Sequence, residues 1–287
     1  LAGTETAAVE DASAAPSAAA PRRSGLVIAR VAGAPVDATE LLGQWMHSES
    51  TVLGDYVDKL INTRIARSEA QRLGVRVDSA EVEARYRDAC AELGELVREK
   101  GHAGTPEDFV RDRLGLDPQR YFERVRLQCE DQLLAERAVR AWLQSSERAT
   151  LRVIVVADAA RASEVRAALA GGMSFEEAAR RYSLDPSREQ GGRVPPVVRS
   201  ERSPLAQLVF RTAPGEVGGP LEQGGKLLLA RVDEHLPGGG GSWAELGPAV
   251  LRSLAEQPIE EAEFWQWRAA MERYYEVDLS PLLELAR

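Results

Sequence analysis

Few side chains in this sequence can do chemistry, and their spacing narrows what that chemistry is. Two cysteines, Cys90 and Cys129, and three histidines, His47, His102 and His235, are scattered along 287 residues. A zinc site needs closely spaced nitrogen and sulfur ligands, and this spacing supplies none. The thiols either pair as a disulfide or stay as ordinary buried thiols, and the second is the plainer reading. Carboxylates are far more numerous, and one of them, Asp185, stands in the helix-breaking segment Ser183-Leu-Asp-Pro-Ser187. Pro186 restricts its backbone. That suits a polar turn. Nothing in the pattern calls for a metal or another cofactor.

The elements around Asp185 are legible. In Gly171 to Gly192, Ser174 with Glu177 forms an S-x-x-E capping box. Phe175, Ala178, Ala179 and Tyr182 recur at helical spacing and give that helix one apolar side. Pro186 ends the helical run by removing a donor, and Gly191-Gly192 permits a turn closed to residues with a Cβ.

The bulk composition bounds the rest. Apolar residues make up 44% and charged residues 28%, as in a globular protein, and the length suits about two domains. A net charge of −9 excludes the basic field that nucleic acid or an anionic membrane would need. No apolar run reaches the roughly 18 residues of a membrane span.

In chain order, residues 1–24 hold Ala, Ser, Pro and Thr with acidic residues, and are expected to be a disordered tether. Residues 25–150 begin with a short β-rich run at Leu26 to Val31. Capped helices follow: one from Asp37, one from Thr51 with Leu53, Val57, Leu60, Ile61 and Ile65 on its apolar stripe, and others from Asp78, Thr105 and Asp117. At Leu151 the pattern changes, and residues 151–236 read as β-α-α-β-α-β-β, a small α+β domain. Residues 237–241 are a glycine linker. Residues 242–287 hold two further helices, with Tyr275 to Leu279 expected as a strand. Trp45, Tyr56, Trp142, Trp265 and Trp267 concentrate aromatic side chains in the helical parts, as core residues or as the lining of a groove.

Three pieces in order resemble the parvulin-type peptidyl-prolyl cis-trans isomerase domain. They are the strand Arg152-Val-Ile-Val-Val156; the segment Gly172-x-x-Phe175-x-x-x-Ala179-x-x-x-Ser183 followed by Gly191-Gly192; and Gly215-Glu-Val-Gly-Gly-Pro-Leu221 with the strand from Gly225 to Val232. The preceding segment, with Leu60-Ile-Asn-Thr-Arg-Ile-Ala-Arg-Ser-Glu-Ala70 and Leu73-Gly-Val-Arg-Val-Asp78, resembles the helical chaperone module of the SurA/PrsA class of extracytoplasmic folding factors. The fold class this implies is α+β, a helical module built from the N-terminal segment plus returning C-terminal helices, with an inserted parvulin-like domain. It also implies unfolded or proline-containing polypeptides as partners, and a location in the periplasm or at the cell surface. There the N-terminal segment would serve as a tether, with a membrane as its anchor point.

Carried over residue by residue, the resemblance leaves a degenerate site. The first histidine of active parvulins falls on Val153 and the second on Leu227 or Leu228. The Cys/Asp position falls on Asp185. The aromatic of the proline clamp falls on Leu205, its methionine falls near Glu201 or Arg202, and Phe210 keeps the apolar position just after. Prolyl isomerisation must overcome an amide barrier of about 18–20 kcal/mol. Valine and leucine cannot replace a hydrogen-bonded histidine pair, so weak or absent isomerase activity is expected. An active isomerase with an unusual site, and a non-catalytic scaffold for one partner, are the competing readings.

Overall fold

The computed structural model describes residues 26–284; the expected tether at 1–24 lies outside them. The first elements are β1 Val27–Val31, β2 Ala34–Asp37, α1 Ala38–Leu73, α2 Ser79–Glu99, α3 Pro106–Asp112 and α4 Pro118–Ser145. Next come β3 Arg148–Val156, α5 Ala159–Ala170, α6 Phe175–Tyr182, a 3-10 turn Pro186–Gln190, β4 Arg193–Val198, α7 Pro204–Arg211, β5 Val217–Gln223 and β6 Lys226–Leu236. The last are α8 Trp243–Glu256, α9 Glu261–Tyr274 and α10 Ser280–Glu284. The described residues fall into two units, 26–57 with 278–284 and 58–277.

In the first unit, β1 and β2 form an antiparallel hairpin in which Val31 pairs with Ala34. Asp37 then caps α1, its Oδ1 accepting from the Glu40 N–H at 2.9 Å. The helix breaks at Glu49 (φ −143°, ψ 55°). Just before the break, the Ser48 hydroxyl donates back to the Gln44 carbonyl at 3.0 Å, a kind of bond that often bends helices.

In the second unit, α1 from residue 58 onward, α4 and α9 share a core of Ile65, Ala66, Val139, Trp267 and Met271. Leu60, placed on the expected apolar stripe, is instead 63% exposed. The buried charges within this helical body are paired. Glu69 is fully buried, receives both nitrogens of Arg72 at 2.8 and 2.7 Å, and accepts from the Tyr275 hydroxyl at 2.6 Å. Arg140 and Glu263, both buried, meet at 3.0 Å and tie α4 to α9. The strand expected at Tyr275 to Leu279 is absent: Tyr275 is held by Glu69, and Val277 packs into the helical core rather than pairing in a sheet. Cys90 and Cys129 are free thiols.

Between α4 and α8 the chain leaves the helical body and builds a four-stranded antiparallel sheet in the order β4-β3-β6-β5. Leu151 and Val153 of β3, with Leu228, Ala230 and Val232 of β6, face Ala206 and Val209 of α7. Ile154, Val156 and Leu229 face Ala162, Val165, Phe175, Ala178 and Ala179 of α5 and α6. A strand covered on both faces has no polar side to show, which is why Leu151 to Val156 reads as a nearly unbroken apolar run. The two connections of this domain lie against each other. A Cβ on Gly238 would sit 2.8 Å from the Glu147 nitrogen and 2.9 Å from the Ser145 carbonyl.

Candidate functional site

The capping box expected at Ser174 is present, and it sets α6 on the sheet: the Glu177 N–H donates to the Ser174 hydroxyl at 3.2 Å, and Glu177 accepts from the Ser174 N–H at 3.1 Å. Four charges hold α6 in place. Arg152 and Arg231 are cross-strand partners. Both pair with Glu176 and Asp233, at 2.8 to 3.2 Å. The Glu176 carboxyl is held below its ordinary range, first by its own backbone N–H and then, against burial, by the two guanidinium charges.

After α6 the chain turns along β3 toward Asp185. Ser183 is buried and its hydroxyl accepts from the Val155 N–H at 3.1 Å and from the Asp185 N–H at 3.2 Å. The Leu184 N–H donates to the Val155 carbonyl at 2.7 Å. Residues 183–185 thus extend the pairing of β3 beyond the end of β4. Gly192 closes the loop at φ +82°, where a Cβ would lie 2.5 Å from the Val153 carbonyl. Asp185 itself is half-buried and caps the 3-10 turn, its Oδ1 accepting from the Ser187 N–H at 2.9 Å.

The aliphatic candidates meet on the α7 side of the sheet. Val153 and Leu228 are 3% and 7% exposed and belong to one cluster, against which Leu205 packs. Val153 lies opposite Ala230, and Val155 opposite Leu228, so Val153 and Leu228 are diagonal neighbours. Leu227 points to the other face, among the residues packed by α5 and α6. Of the two leucines, Leu228 therefore shares Val153's side.

Phe210 also packs on the α7-side cluster but at its far end. Its ring stacks on His235 at 5.2 Å, with the Arg199 guanidinium 4.2 Å from the ring centroid. Arg199 is held by Glu147, with Nη2 to Oε1 at 2.7 Å. His235 lies opposite Ala149. From Ala149 to Val155, beside Asp185, β3 spans roughly 20 Å at about 3.3 Å per residue. The structure therefore brings Val153, Leu228 and Leu205 together and leaves Phe210 away from Asp185. The single histidine of this domain sits at the Phe210 end.

The surroundings of Asp185 carry little sequence signal of their own. Asp185 and Pro186 line a recess of about 740 Å³ whose other wall is α9, with Glu260, Glu261 and Trp265. Gln266 of α9 closes the outer edge of β4: its Oε1 accepts from the Val198 N–H at 2.8 Å, and its Nε2 donates to the Pro196 carbonyl at 3.0 Å. Only the gathering of aromatic residues in α9 hinted at this wall. Among the described residues no group of His, Cys, Asp and Glu is placed to hold a metal ion, and no helix is long and apolar enough to cross a membrane.

Residues 155–233 match the Rotamase family, a PPIC-type PPIASE domain. The match contains Asp185, Leu205, Phe210 and Leu228, and begins just after Val153. No curated protein matches the chain. Similar solved structures include a peptidylprolyl isomerase, PrsA, from Bacillus anthracis, at 15% identity over 78% of this chain and 98% of that one, with a TM-score of 0.37. The foldase protein PrsA from Streptococcus pneumoniae is similar at 15% identity over 88% and 95%, with a TM-score of 0.34. A SurA-like chaperone from Campylobacter jejuni is similar at 16% identity over 91% and 98%, with a TM-score of 0.32.

Proposed function

We propose that this protein is an extracytoplasmic folding factor that binds unfolded polypeptide and has weak or no prolyl isomerase activity. The observation that carries the reading is the side-chain chemistry inside a domain that matches the PPIC-type family. Where a hydrogen-bonded polar pair would stabilise a twisted amide, Val153 and Leu228 are buried hydrocarbon. Each preorganised polar group missing from such a site typically costs about 10²–10³ in rate. Asp185 is engaged by the Ser187 N–H, as a turn-capping residue would be. The domain is retained as a folded unit with both sheet faces packed, which fits a binding role better than a discarded one. The location, and a tether at the N-terminus, belong to the same proposal and rest on the SurA/PrsA-like sequence pattern.

Two assays on the intact chain test this. In a protease-coupled tetrapeptide assay, across several residues before proline, the rate should stay near the uncatalysed one, which takes tens to hundreds of seconds. In the second, the chain at stoichiometric amounts should suppress aggregation of a reduced, unfolded client. Efficient turnover would make the protein an active isomerase. Absence of both activities, with capture of one stoichiometric partner, would make it a dedicated scaffold.

A further inference from the structure

The recess beside Asp185 does not end at one chamber. A second one, of about 570 Å³, adjoins it and shares Gln190, Arg193, Val194, Pro195 and Glu260. The pair forms an elongated trough along the outer side of β4, longer than a small molecule needs and suited to an extended chain. Its large exposed apolar side chain is Trp265, 56% accessible, and Pro186 and Pro195 also line it.

Main-chain pairing is largely blocked along this edge. Strand addition needs free N–H and C=O groups along an edge. On β4 the Val198 N–H and the Pro196 carbonyl are taken by Gln266, and Pro195 and Pro196 have no N–H to offer. Recognition falls to side chains, and their charge is one-sided. Asp185, Glu260 and Glu261 line the trough against a single cation, Arg193, and none of the four forms an ion pair among the described residues. Glu261 accepts from the Trp265 indole N–H at 3.1 Å, which sets the ring beside the carboxylates. The Ser187 hydroxyl, also on the lining, is buried without a hydrogen-bond partner.

We propose that this trough takes an extended client segment bearing an arginine or lysine, whose cation lies against Trp265 and among Asp185, Glu260 and Glu261. A cation over an indole face, flanked by carboxylates, is favoured twice, by the ring quadrupole and by charge. An anionic segment meets like charge. The inference rests on the polypeptide-binding reading above and assigns it a chemical preference and a place.

The test uses the intact chain and two short fluorescein-labelled peptides, identical except for Arg or Glu at the centre, followed by anisotropy. The Arg peptide should bind about tenfold more tightly at low salt, and the preference should shrink as salt screens it. Trp265→Ala removes an exposed side chain and should weaken Arg-peptide binding about tenfold. The double variant Glu260→Gln/Glu261→Gln keeps the shape of the α9 start and should abolish the Arg-over-Glu preference. Equal affinity for the two peptides, or parental binding by Trp265→Ala, overturns the inference. So does a dimer that dissociates on Trp265→Ala and binds neither peptide, which would put a second copy in the trough. The aggregation assay separates the two levels. Suppression without an Arg preference removes this inference alone; absence of suppression and of peptide binding removes the folding-factor reading with it.

Discussion

In the reading proposed above, Asp185 is the one position of the candidate site that keeps the residue type of an active parvulin, so its role is worth isolating. Asp185→Ala removes the acceptor of the Ser187 N–H and with it the cap of the 3-10 turn. Loss of such a cap costs about 0.5–2 kcal/mol. For a cooperative unit of this size, that is about 2–4 °C of melting temperature per kcal/mol. Asp185→Asn keeps an acceptor in the same place and should melt within about a degree of the parent. Catalysis is expected to behave differently. With Val153 and Leu228 buried as hydrocarbon, two polar groups worth about 10²–10³ each are missing, and no single remaining carboxylate offsets that. We therefore expect both variants to isomerise a proline tetrapeptide within twofold of the parent, while only Asp185→Ala loses stability. Protease-coupled kinetics and calorimetry on the same three proteins give the answer. If the parent accelerates isomerisation more than tenfold and Asp185→Asn abolishes it with the melting temperature intact, the carboxylate is doing chemistry and the reasoning fails.

Three further predictions concern the scaffold. Glu263→Ala leaves buried Arg140 without its carboxylate partner and should cost about 3–5 kcal/mol, whereas Arg140→Met with Glu263→Leu should recover most of that; chemical denaturation that finds Glu263→Ala neutral would refute it. Gly192→Ala places a Cβ 2.5 Å from the Val153 carbonyl at φ +82° and should destabilise the sheet domain by more than about 1 kcal/mol, read as loss of amide protection in β3. Burial pushes the Glu69 carboxyl up, but the bonds from Arg72 and Tyr275 and the Arg72 charge outweigh it and hold it below its ordinary range. A lowered carboxylate contributes stability above its unfolded-state value, near 4.3, and loses it as pH falls through the folded-state value. The melting-temperature gap between the parent and Glu69→Gln should therefore be constant near neutrality and begin to close only below about pH 4.

Local signals carried most of the fold. The box at Ser174 and Glu177, the turn at Gly192 and the covered strand Leu151 to Val156 are each written in a few adjacent residues, so they were readable without tertiary knowledge. Diagonal placement of Val153 and Leu228 was not, because the choice between Leu227 and Leu228 depends on pairing across β3 and β6. Phe210 looked like part of a proline clamp by position in the chain. Its stacking on His235 depends on where α7 ends relative to the sheet, a non-local matter. The strand expected from Tyr275 fails for a non-local reason: a β-prone run in isolation, it is claimed by a buried carboxylate on a helix far away in sequence. Of the wall formed by Glu260, Glu261 and Trp265 only the aromatic content of α9 gave a hint, because a trough between α9 and β4 is a property of docking, not of either segment.

The close approach of Gly238 to Ser145 and Glu147 bears on the order in which the chain assembles. Bringing α8 back to α4 across an unstructured stretch of this length carries a loop-closure entropy near 4 kcal/mol, growing as the logarithm of the length. Once the sheet domain has folded, its ends are already side by side and the remaining gap behaves as a loop of a few residues, which lowers that cost by about 2–3 kcal/mol. The sheet domain is then expected to fold ahead of the docking of α8 and α9, acting as a staple for the helical body. Slowed appearance of Trp267 burial in Gly192→Ala, with unchanged helix formation, would be its kinetic signature; simultaneous kinetics in parent and variant would argue against it.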